Sequence, residues 1–219
     1  MDSAARYALQ GAAAIAGGLA AKKLGYFSGL NYLKTAHSET GSPFIPEESN
    51  PILQKHKEQV GSTPEIRVSN RGKSGYKISD DAITLDKNTA AQFTLAHELG
   101  HRSIEAGGGP LQWVQRHTYG GINPNVMGLA NIAIGAASPS MRRATTLALG
   151  LNYLNNSGRI VSEIEASRRG TDLLHAAGYP VSYAPALFQT TAYGIAPTAT
   201  ALAGVGAGRF LRSFASKLV

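Results

Sequence analysis

Cysteine is absent from the 219 residues. Disulfides and thiolate ligands are therefore excluded, His, Asp and Glu are the only strong metal ligands left, and nothing points to a redox compartment. Charge is sparse, at 16% of residues, and no internal repeat is present. Long strongly apolar runs are also missing. The Ala- and Gly-rich run from Ala8 to Ala21 falls short of the roughly 20 residues a spanning helix needs. No motif interleaves basic residues with aromatics, so the net charge of +7 is expected to meet an anionic lipid surface or a partner protein, and no nucleic acid is expected.

Against this background one stretch carries chemistry, TAAQFTLAHELGHRSIE from Thr89 to Glu105. His97, Glu98 and His101 form His-Glu-x-x-His. Residues four apart share one helix face, so both imidazoles can point at a single ion with Glu98 beside it. That spacing is the one a metallopeptidase uses, with two His on zinc and the Glu as general base. The helix is predicted to start at a capping box with Thr89 as N-cap and Gln92 at N3, and to stop at Gly107, Gly108, Gly109 and Pro110. Two imidazoles and a carboxylate on one turn are costly to bury without such a partner.

In chain order, residues 1–60 read as an N-terminal apolar helix and a linker, and residues 61–219 as the main domain. Asp2 precedes Arg6 and the apolar centre is weak, so a cleaved leader is not expected. A small-residue helix packed on other helices is the expectation for the first 21 residues, with a membrane-inserted helix as the alternative. Pro43, Pro46, Pro51 and Pro64 mark a surface connection holding one short helix, Pro51 to Val60. Glu65 to Ser69 and Tyr76 to Leu85 alternate like strands around a turn, which predicts a small antiparallel sheet. Such a strand is able to pair with an extended peptide. Beyond Pro110 two stretches carry no charge, Thr118 to Met141 and Ala176 to Gly208. Small residues dominate both, which suits close helix packing in lipid or in a large assembly, and membrane contact is the expectation even though the mean hydropathy of -0.12 is ordinary for a soluble protein.

Two His leave an ion under-coordinated. The candidates for a third ligand are Glu105, His117, Glu163, Glu165, Asp172 and His175. Glu105 is a turn beyond His101, and three consecutive turns of a straight helix do not converge on one point, so it reads as a solvated carboxylate. Ile104 and Gly107 stand where a metzincin needs Gly and His. Glu163 is more attractive, because SEIEASRRGTDLLHAAG is a second helical pattern in which Glu163 and Ser167 share a face.

HELGH followed by EIEASRRG and LLHAAGY resembles the neutral zinc metallopeptidases of the YugP type, membrane-associated bacterial enzymes with HEVGH and a later Glu-Phe-Asp-Ala-Ser-Arg-Arg segment. The resemblance runs loosely from Ile78 to Phe210. It implies that Glu163 is the third zinc ligand, that Glu165 stands at the family's Asp, and that TTAYGIAPTATAL is the closing apolar helix. The family's Asp-His-Tyr-Asp run ahead of the helix is reduced here to Asp80 and Asp81, and Ser167 stands where many gluzincins place an Asp.

The expected fold is α+β, mostly α: a zincin-like domain with a small antiparallel sheet before the HExxH helix, then three or four closely packed helices. The expected function is zinc-dependent peptide hydrolysis, with His97, His101 and Glu163 on Zn²⁺, Glu98 as base, and Tyr193 or His175 as a second oxyanion donor. Arg168 and Arg169 steer a substrate carboxylate or face solvent or lipid head groups. The alternative is a peptidase-fold structural subunit of a virion or membrane assembly that keeps zinc as a staple.

Overall fold

The structure, a computed structural model, describes residues 2–40, 49–70, 74–88, 91–118 and 121–217. It is 79% helical with one three-stranded sheet, as expected for an α+β chain dominated by helices. The helices are α1 (Ser3–Thr40), α2 (Pro51–Val60), α3 (Gln92–Gly107), α4 (Gly109–Thr118), α5 (Pro124–Ala137), α6 (Met141–Ala176) and α7 (Ala184–Ala215). Contacts divide the chain into two compact units: Ser28–Tyr119 with Gly158–Thr190, and Met1–Phe27 with Gly120–Ser157 and Thr191–Val219.

In the unit that holds α3, the sheet consists of β1 (Glu65–Ser69), β2 (Gly75–Lys77) and β3 (Ala82–Asp86), in the order β1-β3-β2. β2 pairs antiparallel with β3, but β1 pairs parallel with it, Glu65 opposite Ala82. The sheet is therefore mixed, not antiparallel. The stretch expected as one strand from Tyr76 is broken by a 3-10 turn at Ile78–Asp80 and by Asp81 at φ 45°. Asp tolerates this left-handed conformation better than most side chains. The reversal lays β3 back between its neighbours, where four of its five residues are buried.

α2 has the bounds its punctuation predicts. The Asn50 side chain accepts from Ile52 N–H at 2.9 Å, Pro51 takes the first helical position, and Gly61 closes the helix at φ 89°. The start of α3 differs. Its N-cap position is Ala91, without a side-chain cap, and Thr89 lies outside the described residues. Gln92 is the first helical residue and its Oε1 accepts from Asn50 Nδ2 at 3.1 Å, so the side chain expected in a capping box ties α3 to α2 instead. Ile52, Leu53, Ile83, Leu85, Phe93, Leu95, Leu99 and Leu174 form the core of this unit.

The other unit is built on small residues. The Ala- and Gly-rich run lies within α1, and Gly11 and Gly18 face Gly206 and Ala203 of α7, which is the packed helix expected. Gly204 and Gly208, one turn apart on α7, meet Asn131 and Ile132 of α5. Ala144, Ala148, Ala201 and Val205 form its core. No helix among the described residues is long and apolar enough to cross a membrane.

Candidate metal centre

The site exists because α3 and α6 cross almost backbone to backbone. Gly100, between the two motif histidines, packs on the Ala166 carbonyl, with no room for a Cβ. Gly170 packs on Ala96, where an added Cβ would come within 2.8 Å of backbone atoms. Both contacts need bare backbone, and they bring Glu163, one turn before Ala166, over the face carrying His97 and His101.

There the three side chains converge. Glu163 Oε2 lies 3.2 Å from His97 Nε2 and 3.7 Å from His101 Nε2, and ligand atoms of all three lie within 4.8 Å of one another. Donors about 2.0–2.1 Å from a tetrahedral ion stand roughly 3.3–3.4 Å apart, so the spacing fits a metal ion. Exposure is 2% for His97, 6% for His101 and 1% for Glu163.

Each imidazole turns Nε2 to the centre and is fixed through Nδ1. His101 Nδ1–H donates to Gln115 Oε1 at 3.1 Å, and Gln115 Nε2 donates back to the His101 carbonyl at 3.1 Å. Ser162 Oγ donates to the same Gln115 Oε1 at 3.0 Å. His97 Nδ1–H faces Ser167 Oγ at 3.1 Å. This is how proteins orient histidines toward metals. Gln189 Nε2 lies 2.9 Å from His97 Nε2, the ring nitrogen that also faces Glu163. Electrostatics agree. Burial pushes the Glu163 carboxyl up, but the facing His101 and His97 side chains outweigh it and hold the group well below the usual range. Burial also lowers His101, yet Glu163, Glu98 and Gln115 together raise it. The cluster favours positive charge between its three members.

Glu98 is 7% exposed and outside the ligand group. Its charge contributes to raising the His101 pKa.

The other candidates are engaged elsewhere. Glu105 is not solvated: it pairs with Arg116 and accepts from Gln112 Nε2 at 3.0 Å, joining α3 to α4. His117 stacks on Trp113. Glu165 pairs with Arg168 and Arg169, and Asp172 with Arg168, so the arginines are occupied by acids of their own helix. His175 Nε2–H donates to the Val181 carbonyl at 2.7 Å. Gln115, Ser162 and Gln189 are site residues that sequence reasoning missed, because lone amides and hydroxyls carry no motif. No family model, curated protein or solved structure matches the chain.

Proposed function

We propose that the chain is a zinc-dependent metallopeptidase with a zincin-like centre, as the resemblance to YugP-type enzymes implies. The observation that carries this reading is the convergence of His97, His101 and Glu163 on one point, with the buried Glu98 next to His97 in the chain and outside the ligand group. Three protein donors and a separate carboxylate are the parts of a hydrolytic zinc site. Zinc in such a donor set polarises a carbonyl and acidifies water. The chain's own residues do the rest. His97 and His101 are held in the coordinating tautomer by Ser167 and Gln115, and Glu163 supplies the anionic donor. Glu98 takes the proton of the attacking water and delivers it to the leaving amine. The Gln189 amide, 2.9 Å from His97 Nε2, supports the oxyanion.

The test is Glu98→Gln. It should keep the metal of the native chain and lose peptide hydrolysis. Turnover that survives the change would remove Glu98 from the reaction. Enclosure favours a second reading, in which zinc is a staple in a structural subunit: all four residues are at most 7% exposed, and the neighbouring cavity of about 490 Å³ is lined by Ser103, Arg168, Arg169 and Asp172, not by them. In that case metal removal loosens the fold, and neither the native chain nor Glu98→Gln hydrolyses peptides.

A further inference from the structure

The net charge lies wholly in one of the two compact units. The unit formed by Met1–Phe27, Gly120–Ser157 and Thr191–Val219 holds eight Lys and Arg against the single acid Asp2, which accounts for the whole net charge of +7, whereas the other holds thirteen of each sign. Asp2 is spent on the start of α1, where it accepts from Ala4 N–H at 3.2 Å.

Within the basic unit six of the eight cations gather at one end. α1 and α7 run antiparallel, with Gly11 against Gly206 and Gly18 against Ala203, while α5 advances with α7, with Ile132 against Gly208 and Ala136 against Arg212. The start of α1, the turn from α5 to α6 and the end of α7 therefore share an end. Arg6, Arg142, Arg143, Arg209, Arg212 and Lys217 all belong to it. Arg6, Arg209 and Arg212 surround the Tyr7 ring at 5.5, 5.5 and 4.6 Å. Arg212 is anchored on the Ser138 carbonyl at 2.6 Å. Arg209 is fully buried, and its three nitrogens have no hydrogen-bond partner among the described residues. Its charge rests on the face of the Tyr7 ring, so the surface cations of this end are Arg6, Arg142, Arg143 and Lys217. Leu211 and Phe214, 56% and 64% exposed, project from this end between the cations.

We infer that this end docks onto an anionic lipid bilayer, with the basic residues against headgroup phosphates and Leu211 and Phe214 in the interface. Basic residues alternating with exposed apolar ones are how a helix end lies on an anionic membrane surface, and the absence of a crossing helix among the described residues makes this contact peripheral. Nucleic acid would share the charge complementarity but has no use for exposed leucine and phenylalanine.

The test is co-sedimentation of the full chain with phosphatidylserine-containing vesicles and with pure phosphatidylcholine vesicles. Binding should be at least about tenfold stronger to the anionic vesicles and should disappear in molar salt. R142E/R143E/K217E, all at exposed positions, should lower it at least about tenfold. L211S/F214S should weaken binding while its dependence on salt persists, and gives a second reading should the charge reversal perturb folding. Equal binding to both vesicle types, no binding at all, or displacement from anionic vesicles by duplex DNA with L211S/F214S indistinguishable from the native chain would overturn the inference. It is independent of the peptidase reading, since zinc content and hydrolysis do not enter the measurement.

Discussion

Arg102 grips Asp81 at two points, Nε to Oδ1 at 2.7 Å and Nη2 to Oδ2 at 2.8 Å. The same guanidinium donates to the Ser62 carbonyl and hydroxyl, each at 2.7 Å. Arg102 follows His101 directly, so this one side chain locks the left-handed turn of the sheet and the end of α2 to the helix that carries the candidate ligands. Arg102→Met should cost on the order of 3 kcal/mol, because several charge-assisted hydrogen bonds disappear at once. Arg102→Lys should recover little, since an ammonium does not reproduce the fork. Thermal melts of the two variants check this, with a melting point close to that of the native chain as the contrary outcome.

Gly100 tests the crossing. Gly100→Ala places a methyl group on the Ala166 carbonyl, and neither helix backbone has freedom to yield. A loss of about 3 kcal/mol or more is expected, together with metal, because His97 and His101 leave Glu163. Gly128→Ala, where nothing lies within 4 Å, should instead stabilise α5 by about 0.5–1 kcal/mol. Melting points and zinc content of the pair separate a specific clash from a general response to Ala.

His56 sets an acid limit. It is fully buried, and burial first, then the Arg102 charge, lower its pKa from 6.5 to about 4. The unfolded chain therefore takes up a proton that the folded chain refuses. Stability contributed by neutral His56 is complete above about pH 6.5 and is lost as pH falls toward about 4, on the order of 3 kcal/mol in all. His56→Gln should flatten that part of the stability curve in denaturant titrations across this range. An unchanged slope would remove His56 as the cause.

The residues behind the imidazoles should matter nearly as much as the ligands. Gln115→Leu removes the acceptor of His101 Nδ1–H, and Ser167→Ala that of His97. Each should weaken zinc affinity about ten- to a hundredfold, measured by competition with a chromophoric chelator. Unchanged affinity in both would mean that the rings are oriented by packing alone.

Local punctuation made part of this architecture legible. Asn50, Pro51 and Gly61 delimit α2 through caps that act within a few residues, and the four-residue spacing of His97 and His101 and of Glu163 and Ser167 reports shared helix faces directly. What escaped depends on distant partners. Gln92 has the right identity for a capping box, but Asn50, forty-two positions earlier, takes its side chain. Asp81 adopts a positive φ under the grip of Arg102 and Tyr76, and that turn decides parallel against antiparallel pairing. Glu105 looked solvated because Arg116 reaches it from the next helix. Gln189 reaches His97 across ninety-two positions, beyond any spacing rule.

Zinc content of the purified chain, by elemental analysis, bears most directly on the central claim. The native chain and Glu98→Gln should each carry about one zinc, and His97→Ala, His101→Ala and Glu163→Ala should each carry little or none. A Glu163→Ala chain that folds and holds as much zinc as the native one would contradict the claim that these three side chains share an ion.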